Sequence, residues 1–197
     1  MGIEEIMNGR RAMYSLLGQL FLNYPRDEFL RDIYDGVEIP LPPHPLIREG
    51  LEEIRKYAAS FPAFKDFAKS VRVEYTQLFA APDARVSPYQ SSYENDSPYG
   101  VVTLRIRERF FNAGYKLNAN EPADHIGIEL LFMAEISNDK DIKKQNVFFE
   151  EELLKWVFKF CSAVESCSEA KFYRGVSKIL RGFIEMEKLV IKRLLTL

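Results

Sequence analysis

From Met13 to Leu195 the apolar residues recur at intervals of three and four, and nowhere do they alternate with polar residues for long enough to make a strand. That periodicity confines the chain to helices whose apolar stripes bury one another, so the expected fold class is all-α. The first stripe is Met13, Leu16, Leu17, Leu20 and Phe21, and it is broken at Tyr24-Pro25, because proline lacks the N–H that the next helical turn would use. Phe29, Leu30, Ile33 and Tyr34 predict a short second helix ended by Gly36, and Pro40 to Pro45 is a loop. Leu51, Ile54, Ala58 and Phe61 predict a third helix. Phe64, Phe67, Ala68, Val71, Tyr75, Leu78 and Phe79 predict a fourth, which stops before Pro82. Val101 to Phe111, Asp124 to Ile136, the segment around Phe148 to Phe160, and Phe172 to Leu195 complete a bundle of about eight helices. No repeat or low-complexity tract divides the 197 residues, and 1–197 is expected to form a single domain.

The same periodicity decides how Arg10-Arg11 reads. An arginine pair before an apolar run resembles an export leader, but Glu4 and Glu5 occupy the region that should be basic, and no small-residue cleavage site precedes Tyr24-Pro25. The apolar residues keep to one helical face, so a core helix is expected. Met1-Gly2 is not read as a myristoylation signal, since position 6 is Ile.

Charge and sulfur exclude several classes. With 27 basic against 29 acidic residues there is no positive field to gather phosphates, so nucleic acid is not an expected partner. No stretch is apolar enough to span a bilayer. Cys161 and Cys167, six apart on a helix, point about 240° from each other and cannot bridge, which fits a reducing compartment. His44 and His125 neighbour no cysteine, and neither a metal site nor another cofactor is expected.

Two segments stand out. Ala81 to Gly100 is about twenty residues without helical or strand pattern, longer than a compact domain carries without use. It holds Pro82, Pro88 and Pro98 with Tyr89, Tyr93 and Tyr99: stiff backbone presenting flat apolar rings with a hydroxyl at the rim. The second is Glu121-Pro122-Ala123-Asp124-His125-Ile126-Gly127-Ile128-Glu129-Leu130. There Asp124 is expected to cap the sixth helix by accepting backbone N–H groups, above a buried stripe of Ile128, Leu131 and Phe132. Asp124 beside His125 also admits a small hydrolase, but adjacent helical residues do not face each other, and no nucleophile motif, phosphate loop or catalytic glutamate pair accompanies them.

Taken together, Glu74-Tyr75-Thr76-Gln77-Leu78-Phe79, Pro82, Ser87-Pro88-Tyr89-Gln90-Ser91-Ser92-Tyr93 and then Glu121 to Leu130 resemble the TorD/DmsD family of redox-enzyme maturation chaperones, to which the NarJ-like proteins are related. Ser87, Gln90 and Ala123 depart from the family pattern, which often has proline, glutamate and proline at those places. The resemblance implies a cytoplasmic, non-catalytic protein that binds the twin-arginine leader and apo form of a molybdopterin oxidoreductase subunit and holds back export until the cofactor is inserted. It maps the leader-binding positions onto Tyr75, Leu78, Phe79, Pro88, Tyr89, Tyr93, Asp124 and His125, with Ser91, Glu121 and Glu129 completing the candidate peptide site from the same motifs. A NarJ-type variant would serve a client that is never exported, and a homodimer is compatible with the long connections. Such a leader offers two guanidinium groups followed by an apolar helix-forming stretch. The expected receptor therefore pairs carboxylates (Asp124, Glu121, Glu94, Asp96) with an aromatic groove (Tyr89, Tyr93, Leu78, Phe79).

Overall fold

The computed structural model describes residues 2–117, 120–138 and 141–196. Among them every regular element is helical: α1 (Ile3–Leu22), α2 (Asp27–Tyr34), α3 (Pro45–Ala59), α4 (Phe64–Tyr75), α5 (Val101–Asn112), α6 (Ile126–Ile136), α7 (Ile142–Phe148), α8 (Leu154–Ser166) and α9 (Phe172–Leu194). The all-α expectation holds. α7 and α8 are one continuous helix through a π turn at Phe149–Leu153, which recovers the single seventh helix that the periodicity marks. α4 likewise runs into a π turn, Thr76–Ala80, before Pro82. No helix of the described residues is long and apolar enough to cross a membrane.

The chain divides into two compact units, neither of them continuous in sequence. The first comprises residues 1–22, 88–159 and 187–197. Its centre is α6, where nine of eleven residues are buried, so this helix has no polar face to turn outward. α1 crosses α6 at two glycines: a Cβ on Gly18 would stand 2.9 Å from the Gly127 carbonyl oxygen, and one on Gly127 would stand 2.8 Å from that of Gly18. Four residues of the predicted first stripe, Met13, Leu17, Leu20 and Phe21, are buried. Arg10 is buried as well, its Nε 2.9 Å from Glu187 Oε1, and Tyr14 donates to Glu187 Oε2 at 2.9 Å. The arginine pair thus belongs to a packed helix. Phe110, Phe132, Phe148 and Tyr115 form the unit's aromatic cluster, with centroids from 4.3 to 5.8 Å apart.

The second unit comprises residues 23–87 and 160–186. It too is built on a glycine crossing: a Cβ on Gly50 of α3 would meet the Gly175 carbonyl oxygen of α9 at 2.4 Å. The buried carboxylate of Glu74, on α4, accepts the backbone N–H groups of Lys171, Phe172 and Tyr173 at 2.9, 3.1 and 2.7 Å. These are donors that a helix leaves unmatched in its first turn, so a side chain from α4 caps α9.

Candidate peptide-binding site

The two motifs, some thirty residues apart in sequence, are clasped together in the first unit. Tyr89 and His125 form an antiparallel bridge. The Ile126 N–H donates to the Pro88 carbonyl at 2.8 Å and the Gln90 N–H to the Asp124 carbonyl at 2.9 Å. The Tyr89 ring meets the His125 imidazole edge-on at 5.3 Å, and its hydroxyl donates to Glu121 at 2.7 Å. The long loop is therefore not patternless. Gln90–Tyr93 makes a 3-10 turn, which buries Pro88, Gln90 and Ser91 and leaves Tyr89 and Tyr93 half-buried. The Tyr93 ring leans on Trp156 at 5.4 Å.

Asp124 corrects a sequence expectation. It is fully buried and does not cap α6; its carboxylate reaches across to the Ser91 N–H at 3.1 Å and the Thr103 hydroxyl at 2.7 Å. The cap is His125, whose Nδ1 accepts the Gly127 N–H at 3.0 Å, so α6 begins at Ile126. Accepting at Nδ1 places the ring proton of the neutral form on Nε2. Burial drives the His125 pKa down to about 4 against the opposing pull of Glu121 and Asp124, and the imidazole is neutral at physiological pH. Both groups are occupied with structure rather than with each other, which leaves no aspartate–histidine pair for hydrolysis.

The other carboxylates are also engaged. Asp96 accepts the N–H groups of Ser97 and Val102 at 2.8 Å each, starting α5. Glu94 and the buried Glu152 share Arg105, at 2.9 and 3.0 Å, and Arg109 bridges Glu152 and Glu151. Burial opposes ionisation of Glu94, but its bonds from Gln90 and Arg105 hold the pKa below the ordinary carboxylate value. Gln90, where the family often has glutamate, donates its amide to Glu94 at 2.5 Å and supplies no charge. Glu129 is fully buried with one bond, from Trp156 Nε1 at 3.2 Å. Desolvation there raises its pKa well above the ordinary value, with Asp124, Glu152 and Glu94 adding to the rise against the Trp156 bond, so burial favours the neutral acid. Of the four carboxylates expected to meet guanidinium groups, Glu121 is half-exposed and, among the described residues, bound by a tyrosine hydroxyl alone.

Tyr75, Leu78 and Phe79 lie in the second unit, all buried. Tyr75 packs against Tyr24, Phe79 and Tyr173, with centroids 4.8 to 5.8 Å apart, and Phe79 against Tyr173 and Phe160. The π turn that carries Leu78 and Phe79 frees carbonyls that the loop then uses: Gln77 O accepts the Arg85 N–H at 3.1 Å and Leu78 O the Val86 N–H at 3.0 Å.

Residues 45–162 match the nitrate reductase delta subunit family. The chain belongs to that family. Over 191 residues it is 29% identical to the chaperone protein YcdY of Escherichia coli K12, covering 90% of this chain and 93% of that one. Over 201 residues it is 26% identical to the chaperone protein TorD of Vibrio atlanticus, covering 90% and 92%. The crystal structure of an Archaeoglobus fulgidus protein assigned to redox enzyme maturation aligns with a TM-score of 0.56 at 26% identity, over 87% of this chain and 93% of that one. The chain is accordingly a redox enzyme maturation chaperone of the TorD/NarJ type, and not an enzyme.

Motif reading passed over one part of this chaperone. α5 buries Val102, Thr103, Ile106 and Phe110, yet also exposes Val101, Leu104 and Phe111. The signal was present in the sequence, because the apolar residues from Val101 to Phe111 exceed what one stripe accounts for.

Proposed function

We propose that this chaperone binds the twin-arginine leader of a molybdopterin-containing oxidoreductase subunit in the cytoplasm. It holds the apo form while the cofactor is inserted and restrains export until then, acting as a single domain over residues 1–197. The observation that carries this reading is the clasp: the proline-tyrosine loop and the Asp124-His125 segment, which resemble the family's leader-binding motifs, are bonded backbone to backbone into one platform. On it Asp124, His125, Ser91, Pro88 and Glu129 fix the shape, while Tyr89, Tyr93 and Glu121 stand where a peptide reaches them. A half-exposed carboxylate beside a tyrosine ring suits a guanidinium group, which donates a charge-assisted bond to one and stacks on the other.

Calorimetric titration with a synthetic twin-arginine peptide tests it. Saturable binding without turnover is expected, weakening as salt rises because a half-exposed pair is screened over about 10 Å at 0.1 M. Glu121→Gln should weaken binding by about 1–3 kcal/mol and leave melting unchanged. Affinity equal to wild type in that variant removes Glu121 from the site, and no binding by wild type sinks the reading.

A second reading is favoured by the match to the nitrate reductase delta subunit family: a client whose N-terminus is a vestigial leader and is not exported. A peptide with both arginines replaced by alanine separates the two, since this client requires it to bind as well as the original.

A further inference from the structure

Resting on the leader-binding reading, we infer that the outward face of α5 seats the apolar helix-forming stretch of the leader. Four large apolar side chains lie open here within thirteen residues: Tyr99 at 70% exposure, Val101 at 71%, Leu104 at 61% and Phe111 at 79%. At 100° per residue Val101, Leu104 and Phe111 fall within about 80° of one another, on the side away from the buried Val102, Ile106 and Phe110. The core takes one face of α5 and leaves the other apolar without internal use, and contiguous exposed apolar surface of this kind marks a contact site.

Two further observations choose the occupant. Tyr99 has a φ of +60°, a conformation that costs a non-glycine residue about 1–3 kcal/mol, and it spends that strain holding an exposed ring at the head of the stripe. The ring is continuous with the motif platform, because Asp96 in the same loop holds the first turn of α5 and Glu94 is bonded to Arg105 on it.

Size and charge agree. From Val101 to Phe111 the helix rises about 15 Å, the length of an apolar stretch of about ten residues, within the 7–15 of an export leader. A stable pair of chains needs roughly 20–30 residues a side, which four side chains do not approach. Glu108 stands exposed on the same stripe with no ion pair among the described residues, whereas Arg105 and Arg109 are already held by glutamates. With the guanidinium pair held at Glu121, the exposed Glu108 and Arg107 offset each other on α5 and leave the stripe without a net positive charge that would repel the leader.

The test is affinity for a synthetic peptide carrying Arg-Arg and an apolar stretch of about twelve residues, measured for wild type and for Leu104→Ser with Phe111→Ser, with melting and sedimentation on the same samples. The inference expects at least a tenfold loss of affinity with unchanged melting. A loss below tenfold in a protein that wild type shows to be competent overturns the inference and leaves the leader reading standing. A lowered melting temperature overturns it as well, by showing that the stripe is packed. So does a wild-type dimer that the double variant turns into a monomer with binding intact, because the stripe then serves a second copy. If wild type does not bind, the leader reading fails and takes the inference with it.

Discussion

Glu74 of the second unit and Glu129 of the first are both buried, and the two are treated in opposite ways. In the second unit Glu74 meets three backbone N–H groups at 2.7 to 3.1 Å; burial raises its pKa and those bonds pull it back. In the first unit Glu129 has one indole N–H, and its Oε1 has no hydrogen-bond partner among the described residues. Gln90 Oε1 and Ser91 Oγ, both in the motif loop, share that condition. A satisfied buried carboxylate locks a helix end in place, while under-satisfied polar atoms make a region less costly to open. The contrast lies in the two glutamates themselves: Glu74 pins the start of α9, while Glu129 and the motif loop beside it keep polar atoms unmatched among the described residues.

The sharpest way to break this contrast is Glu74→Ala. It strands three donors at the start of α9, and we expect a loss of about 3–5 kcal/mol in chemical denaturation. A loss under about 1 kcal/mol would mean that the cap is cosmetic.

Next is pH. An unfolded imidazole takes a proton near 6.5, whereas folded His125 resists until about 4. Its contribution is complete above pH 6.5 and is lost as the pH falls towards 4, by about 3 kcal/mol in total. His125→Asn keeps a capping acceptor without the titration and should flatten that limb of the stability profile. An unchanged acid limb would place the sensitivity elsewhere.

The glycine crossings rank third. Gly50→Ala should cost about 3 kcal/mol, since its Cβ meets a carbonyl oxygen at 2.4 Å, and Gly18→Ala nearer 2 kcal/mol, since its Cβ would stand 2.8 Å from the Leu131 side chain and 2.9 Å from the Gly127 carbonyl oxygen. Equal losses would show that the second crossing is no tighter than the first.

The smallest expected effect is also the most telling. Burial raises the Glu129 pKa, so the stability it confers is full below the ordinary carboxylate pKa of 4.5 and declines as the pH rises towards the folded value. Glu129→Gln removes that decline, and at pH 7 the variant should equal wild type or gain up to about 1 kcal/mol. A loss above about 2 kcal/mol would show that Glu129 is ionised in the fold.

Helix identity was legible wherever a single apolar stripe sets the period, from Met13 to Phe21 and again through α9, because burial and periodicity are the same fact there. The π turns were not, since one extra residue in a turn barely disturbs a 3.6-residue pattern over so short a span. The motifs were legible as segments but not as a clasp. Asp124 read as a local cap because capping rules look two or three residues ahead, while its partners, Ser91 and Thr103, are 33 and 21 residues away in sequence. Gly18 and Gly127 lie more than a hundred residues apart in sequence, and only their mutual approach explains both.

The bond from Arg10 to Glu187 spans 177 residues and carries a consequence for the order in which the protein is made. A guanidinium 4% exposed has no business inside until its carboxylate exists, so α1 has to leave the ribosome and wait until residue 187 has followed it before it can settle on α6. α6, the helix that follows the Asp124-His125 segment, therefore gains its α1 packing only after residue 187 has been made, and a copy cut short before that residue would lack a neighbour of the motif platform.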